Sequence, residues 1–91
     1  MLIRTSADLG AAVRERRKQL RLDQAALAAR IGVSRQWIIS LERGHDRAEV
    51  SLVLRALDEL GIRLETRARE ADDVGDVDID ALVAAAKGRG A

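Results

Sequence analysis

Ninety-one residues suffice for one small domain, and with no cysteine the chain has no disulfide framework, thiolate nucleophile or cysteine-type zinc site. Trp37 is its only aromatic residue, so a core must be built from Leu, Ile, Val and Ala, and association with a second copy would help stabilise so small an interior. The net charge of +1 is uneven: residues 1–70 carry fourteen Lys and Arg against ten Asp and Glu, whereas residues 71–91 carry two against five, so a basic folding unit precedes an acidic tail.

In chain order, Leu2-Ile3-Arg4-Thr5 can pair as an edge strand. Ser6 then offers an N-cap, and Leu9, Val13, Arg16/Arg17 and Leu20 recur at helical spacing, which predicts a first helix from about residue 6 to residue 20. Arg14, Arg16, Arg17, Lys18 and Arg21 crowd this helix and its exit, enough together for one edge of a phosphate-facing surface; each singly is equally a solvated charge.

Asp23 caps a second helix whose apolar face is Ala25, Leu27, Ala28 and Ile31. Gly32 supplies the freedom for a sharp turn, Val33 wedges between helices, and Ser34 caps a third helix by accepting from an N–H near Gln36 or Trp37. In that helix Ile38 and Leu41 share the buried side, which leaves Arg35, Gln36, Ile39 and Ser40 facing elsewhere. Gly44 ends it, and His45-Asp46-Arg47 forms a polar connection.

Val50, Val53, Leu54, Leu57 and Leu60 mark a fourth helix that stops at Gly61 and closes the core. From Ile62 to Arg67 apolar and polar residues alternate with period two, which argues for a strand. A lone strand leaves its backbone groups without partners, and pairing with the same strand of a second subunit through Ile62, Leu64 and Thr66, with Leu2-Ile3 alongside, solves this; the other reading is a frayed extension of the last helix. The unit therefore spans residues 1–70, and residues 71–91 form an acidic, flexible tail in which Ile79, Leu82, Val83 and Ala86 fall at helical spacing, suited to ordering on a partner.

The span Asp23 to Gly44 resembles the Xre/Cro-type helix-turn-helix in Gln24, Leu27-Ala28, Gly32-Val33-Ser34 and Leu41-Glu42-Arg43-Gly44. The resemblance implies a mainly α fold, a four- to five-helix, lambda-repressor-like DNA-binding domain with a short C-terminal β-strand pairing across a dimer. It also implies that Gln24 and the turn residues, Ser34 among them, lie at the phosphate backbone, while Arg35, Gln36 and Ser40 face base edges. A guanidinium donates twice to guanine, and a Gln amide both donates to and accepts from adenine. Arg43 belongs to the same DNA-facing set. Trp37 either packs on the core or lays its ring on a sugar or thymine methyl, and Ile39 touches a thymine methyl or is covered by a partner.

From Leu9 to Arg67 the chain is similar to the HipB-like antitoxins, a branch of that group. That resemblance implies a homodimer on a palindromic double-stranded operator, autoregulation of its operon, and a HipA-like kinase toxin as partner, with the tail docking on the toxin. The alternatives are a stand-alone Xre-type regulator and a protein-interaction adaptor on a helix-turn-helix scaffold. An enzyme has nothing to stand on: His45 is the only histidine, Glu42 more simply pairs with an Arg of the first or second helix, and no catalytic, metal or cofactor residue is assigned. With no run approaching the roughly twenty apolar residues of a membrane span and no signal peptide, a soluble cytoplasmic protein is expected.

Overall fold

The structure, a computed structural model, describes residues 1–69. The expected tail helix, its docking on a toxin and the 70/71 boundary lie outside the described residues. Four helices follow in order, α1 (Ser6–Gln19), α2 (Gln24–Ile31), α3 (Arg35–Glu42) and α4 (Val50–Glu59), close to the expected spans.

The N-cap of α1 is Thr5 rather than Ser6. Thr5 Oγ1 accepts from the Asp8 N–H at 3.0 Å, and the Asp8 carboxylate accepts from the N–H groups of Arg4 at 2.9 Å and Thr5 at 3.2 Å. Spacing decides between the two neighbouring hydroxyls, because only Thr5 has an acidic residue three positions on that can return the bond. These N–H donors, that of Arg4 foremost, hold the Asp8 carboxyl below its ordinary pKa.

The core is made by Val13 of α1, Leu27, Ala28 and Ile31 of α2, Ile38 and Leu41 of α3, and Ala56, Leu57 and Leu60 at the end of α4. Helix α3 packs against both α1 and α2, and α4 packs against α2. Burying each large aliphatic contributes about 1.5–3 kcal/mol, so this aromatic-free interior depends on close fit. Gly10 is where α1 and α3 come closest: a Cβ there would collide with the Leu41 carbonyl oxygen and lie 2.7 Å from that of Glu42.

Four expectations of burial change. Ala25 is exposed, because α2 turns only its Leu27, Ala28 and Ile31 side inward. Leu20, the C-cap of α1, is also exposed. On α4 the inner face ends at Val53, Ala56, Leu57 and Leu60, whereas Val50 and Leu54 are 70% and 48% exposed. Arg17, expected among the phosphate-facing cations, is instead buried at the contact of α1 with α3.

Beyond Gly61 the chain has no helix, and no strand ladder occurs among the described residues of this single chain. Ile62 packs on the core and its N–H donates to the Leu57 carbonyl at 2.9 Å, while Leu64 is 56% exposed. Residues 1–4 likewise form no strand. Met1, Leu2, Ile3, Val50, Leu54 and Leu64 rim an open, mainly apolar groove of about 1030 Å³.

Candidate nucleic-acid interface

Short-range chemistry builds the two motif helices. Asp23 Oδ1 accepts from the Ala26 N–H at 2.7 Å and starts α2. Gly32 ends it with φ +85, a left-handed conformation that costs glycine least, and the N–H groups of Gly32 and Val33 both donate to the Ala28 carbonyl. Ser34 Oγ then accepts from the Trp37 N–H at 3.0 Å and starts α3. Both expected caps are in place, and the turn holds the start of α3 beside the start of α2.

Within α3, Ile38 and Leu41 are buried as expected. Arg35 and Gln36 are exposed and Ser40 is partly so, which leaves one polar outward face on a short, rigidly capped helix. Arg43, the C-cap, is exposed at the far end. Trp37 is partly buried and packs against the core. Ile39 is partly buried. Gln24, first residue of α2, is partly buried beside Arg35, and Arg14, Arg17, Asp23 and Ala25 complete a shallow polar depression around them.

Glu42 takes the structural role. Its carboxylate accepts from Arg17 Nε at 2.7 Å and Arg17 Nη2 at 3.0 Å, a two-pronged pair whose side chains are 9% and 4% exposed. Arg17 Nη1 donates to the Leu22 carbonyl at 2.8 Å, and Gln24 Nε2 donates to Glu42 Oε1 at 3.3 Å. The hydrogen bond to Glu42 raises the Arg17 pKa further above its already high ordinary value, so the buried guanidinium stays charged. Arg16 is drawn off too: its Nε donates to the Leu60 carbonyl at 2.9 Å, tying α1 to the end of α4. Of the five cations in the first-helix run, Arg14, Lys18 and Arg21 are the exposed ones. Arg17 lies four residues after Val13 on the helical stripe that the sequence marks in α1, and that stripe faces inward.

Comparison with known proteins fits this geometry. Residues 13–66 match the family described as helix-turn-helix. An uncharacterised HTH-type transcriptional regulator, y4mF of Sinorhizobium fredii, is 41% identical over 63 residues, covering 69% of this chain and 83% of its own length. A second uncharacterised HTH-type transcriptional regulator, from Methanothermobacter thermautotrophicus, is 47% identical over 49 residues, covering 54% of this chain and 71% of its own. Among solved structures, a chain of a HipA-HipB-O2-O3 complex superposes with a TM-score of 0.70 at 21% identity, covering 77% of this chain and 99% of that one.

The chain belongs to the Xre/Cro-type helix-turn-helix family. It is a DNA-binding transcriptional regulator, in a class whose members are not enzymes. No helix among the described residues is long and apolar enough to cross a membrane.

Proposed function

We propose that this regulator is a dimeric, sequence-specific repressor that reads a palindromic operator with α3. The observation that carries the reading is the outward face of α3: Arg35 and Gln36 are exposed and Ser40 is partly so, while Ile38 and Leu41 anchor the helix from behind. Arg35 and Gln36 have the donor and acceptor patterns that distinguish bases in the major groove. Gln24, Ser34, Trp37 and Arg43 contact phosphate and sugar; the Ser34 hydroxyl, already accepting from the Trp37 N–H, keeps its own proton to donate to a phosphate oxygen.

The dimer is supported by the apolar rim around the groove, where Leu2, Ile3 and Leu64 converge, and by the alternating segment after Gly61. Ile62, Leu64 and Thr66 pair with their counterparts in a second copy and set two α3 helices for half-sites about one DNA turn, roughly 34 Å, apart or a small multiple of it. Selection from a randomised duplex library tests the reading. The expected product is an inverted repeat whose binding weakens steeply as salt rises; a selection that returns no preferred sequence overturns it.

Within this function the chain is an antitoxin of HipB type that neutralises a HipA-like kinase toxin and represses their shared operon. Support comes from the likeness in fold to a chain of the HipA-HipB complex over nearly that chain's whole length. Co-expression with the product of the adjacent reading frame tests it: a stable complex with a kinase-fold protein is expected, and a neighbour without one leaves a stand-alone regulator.

A further inference from the structure

The folded unit is short of anions. Residues 1–69 hold fourteen Lys and Arg against nine Asp and Glu, and among the described residues Arg17 alone of the cations forms an ion pair. Arg14, Lys18 and Arg21 at α1 and its exit, and Arg35 and Arg43 at the two ends of α3, are exposed. Arg14 and Arg35 come from different helices to one shallow polar depression, so a single anionic strand can touch both.

Residues 70–80 lie outside the described residues, and their sequence supplies the anions: Glu70, Asp72, Asp73, Asp76, Asp78 and Asp80, with no Lys or Arg among them. Asp76, Asp78 and Asp80 alternate with Val77 and Ile79, a pattern that in an extended backbone sets three carboxylates on one side about 7 Å apart. Reach is ample. The chain leaves the core beside α1, where Arg16 Nε donates to the Leu60 carbonyl at 2.9 Å. The eleven residues 70–80 extend up to roughly 36–40 Å, against about 21 Å for the fourteen residues of α1. Because it is tethered, the run meets the cations at an effective concentration that the protein concentration does not change.

We propose that the acidic run Glu70–Asp80 lies across Arg14 and Arg35 in the free protein and competes in cis with DNA phosphates for them. The proposal rests on the reading of α3 as the DNA-facing helix and adds an intrachain ligand for the same face. A duplex carries one charge per about 1.7 Å of its axis, far denser than the run, so DNA displaces it. Every duplex must do so, whatever its sequence. The run therefore lowers affinity for selected and unrelated DNA by one common factor and leaves discrimination between them untouched.

The first test needs no DNA. The chain has no native cysteine, so Val77→Cys gives a nitroxide one attachment point within the run. Isotope-labelled, spin-labelled protein is diluted into unlabelled wild type, so that any broadening arises within one chain. The amide signals of Arg14 and Arg35 are expected to broaden while those of Leu54 and Leu64 at the apolar groove stay sharp, and the effect should fade toward 1 M salt, where the Debye length is about 3 Å. Broadening at the groove instead, broadening on neither face, or broadening that survives 1 M salt overturns the proposal.

The second test uses the full chain with Asp72→Asn, Asp73→Asn, Asp76→Asn, Asp78→Asn and Asp80→Asn together. In this variant the nitroxide effect on Arg14 and Arg35 should vanish. Kd should fall about tenfold for both the selected and an unrelated duplex, and the slope of log Kd against log salt should steepen by about 1–2, because the cations that DNA takes are no longer neutralised beforehand. An unchanged Kd overturns the proposal; so does a tighter Kd without broadening in the nitroxide-labelled chain that keeps its five Asp, which assigns the gain to long-range repulsion. If the protein binds no duplex, the DNA-facing reading of α3 fails, and the nitroxide result alone decides whether the run lies on these cations.

Discussion

Arg21 has φ +57 and is the one non-glycine residue with positive φ among the described residues. It sits at the end of α1 in the same hydrogen-bond pattern that closes α3 and α4: the Arg21 N–H donates to Lys18 and the Leu22 N–H to Arg17, where the other two helices place Gly44 and Gly61. Arg21→Gly should therefore stabilise the fold by about 0.5–1 kcal/mol, seen as a higher thermal midpoint. Gly10 is the reverse case. Gly10→Ala adds a methyl group against two backbone carbonyls of α3, atoms that cannot swing aside, and a loss of about 1–3 kcal/mol is expected in urea titration. Glu42→Ala strands the buried Arg17 guanidinium and removes the acceptor of Gln24; about 3–5 kcal/mol is expected by the same measurement. A neutral result would show that the pair adds nothing to stability.

At the scale of elements, the helices whose limits depend on neighbours in sequence were legible, and those whose faces depend on distant packing were less so. Asp23 and Ser34 cap as expected because an N-cap bond reaches only three residues forward. Thr5 displaced Ser6 for the same local reason, since the returning carboxylate stands three residues after Thr5. That box also makes a pH prediction. The Asp8 carboxyl titrates below its ordinary value in the folded chain, so its contribution is complete above the ordinary carboxyl pKa and is lost as pH falls through the folded one. Asp8→Asn should remove this part of the acid dependence of helix content, measured by circular dichroism from pH 6 downward; an unchanged acid limb would detach Asp8 from the stability of α1. By contrast, periodicity could mark Val50, Leu54 and Leu57 as one apolar face of α4, but it could not tell which end α2 would cover. The pairing of Glu42 with an Arg of the first or second helix was legible, but periodicity could not tell that Arg17 would be the one to leave the basic surface, because that choice depends on a helix arriving from twenty-five residues away. Of the candidate interface, the composition of α3 and the structural role of Glu42 were legible, and the hydrogen bonds of Gln24 to Glu42 and Arg35 were not.

For the molecule as a whole, the apolar rim is the feature that a second copy would cover. Leu64→Glu should shift the protein toward monomer in sedimentation and weaken binding to the selected two-fold duplex more than to a single half-site, while the four-helix core keeps its content by circular dichroism. Equal sedimentation of variant and wild type would remove Leu64 from the interface. Trp37 gives these experiments an unplanned convenience. With no Tyr or Phe in the chain, all near-ultraviolet emission comes from one indole of α3 that is partly buried against the core. Loss of the fold wets that ring, and a duplex on the proposed α3 interface would cover it. A single unlabelled protein thus reports its own unfolding, and if the proposed interface holds it also reports DNA capture, as spectrally different events.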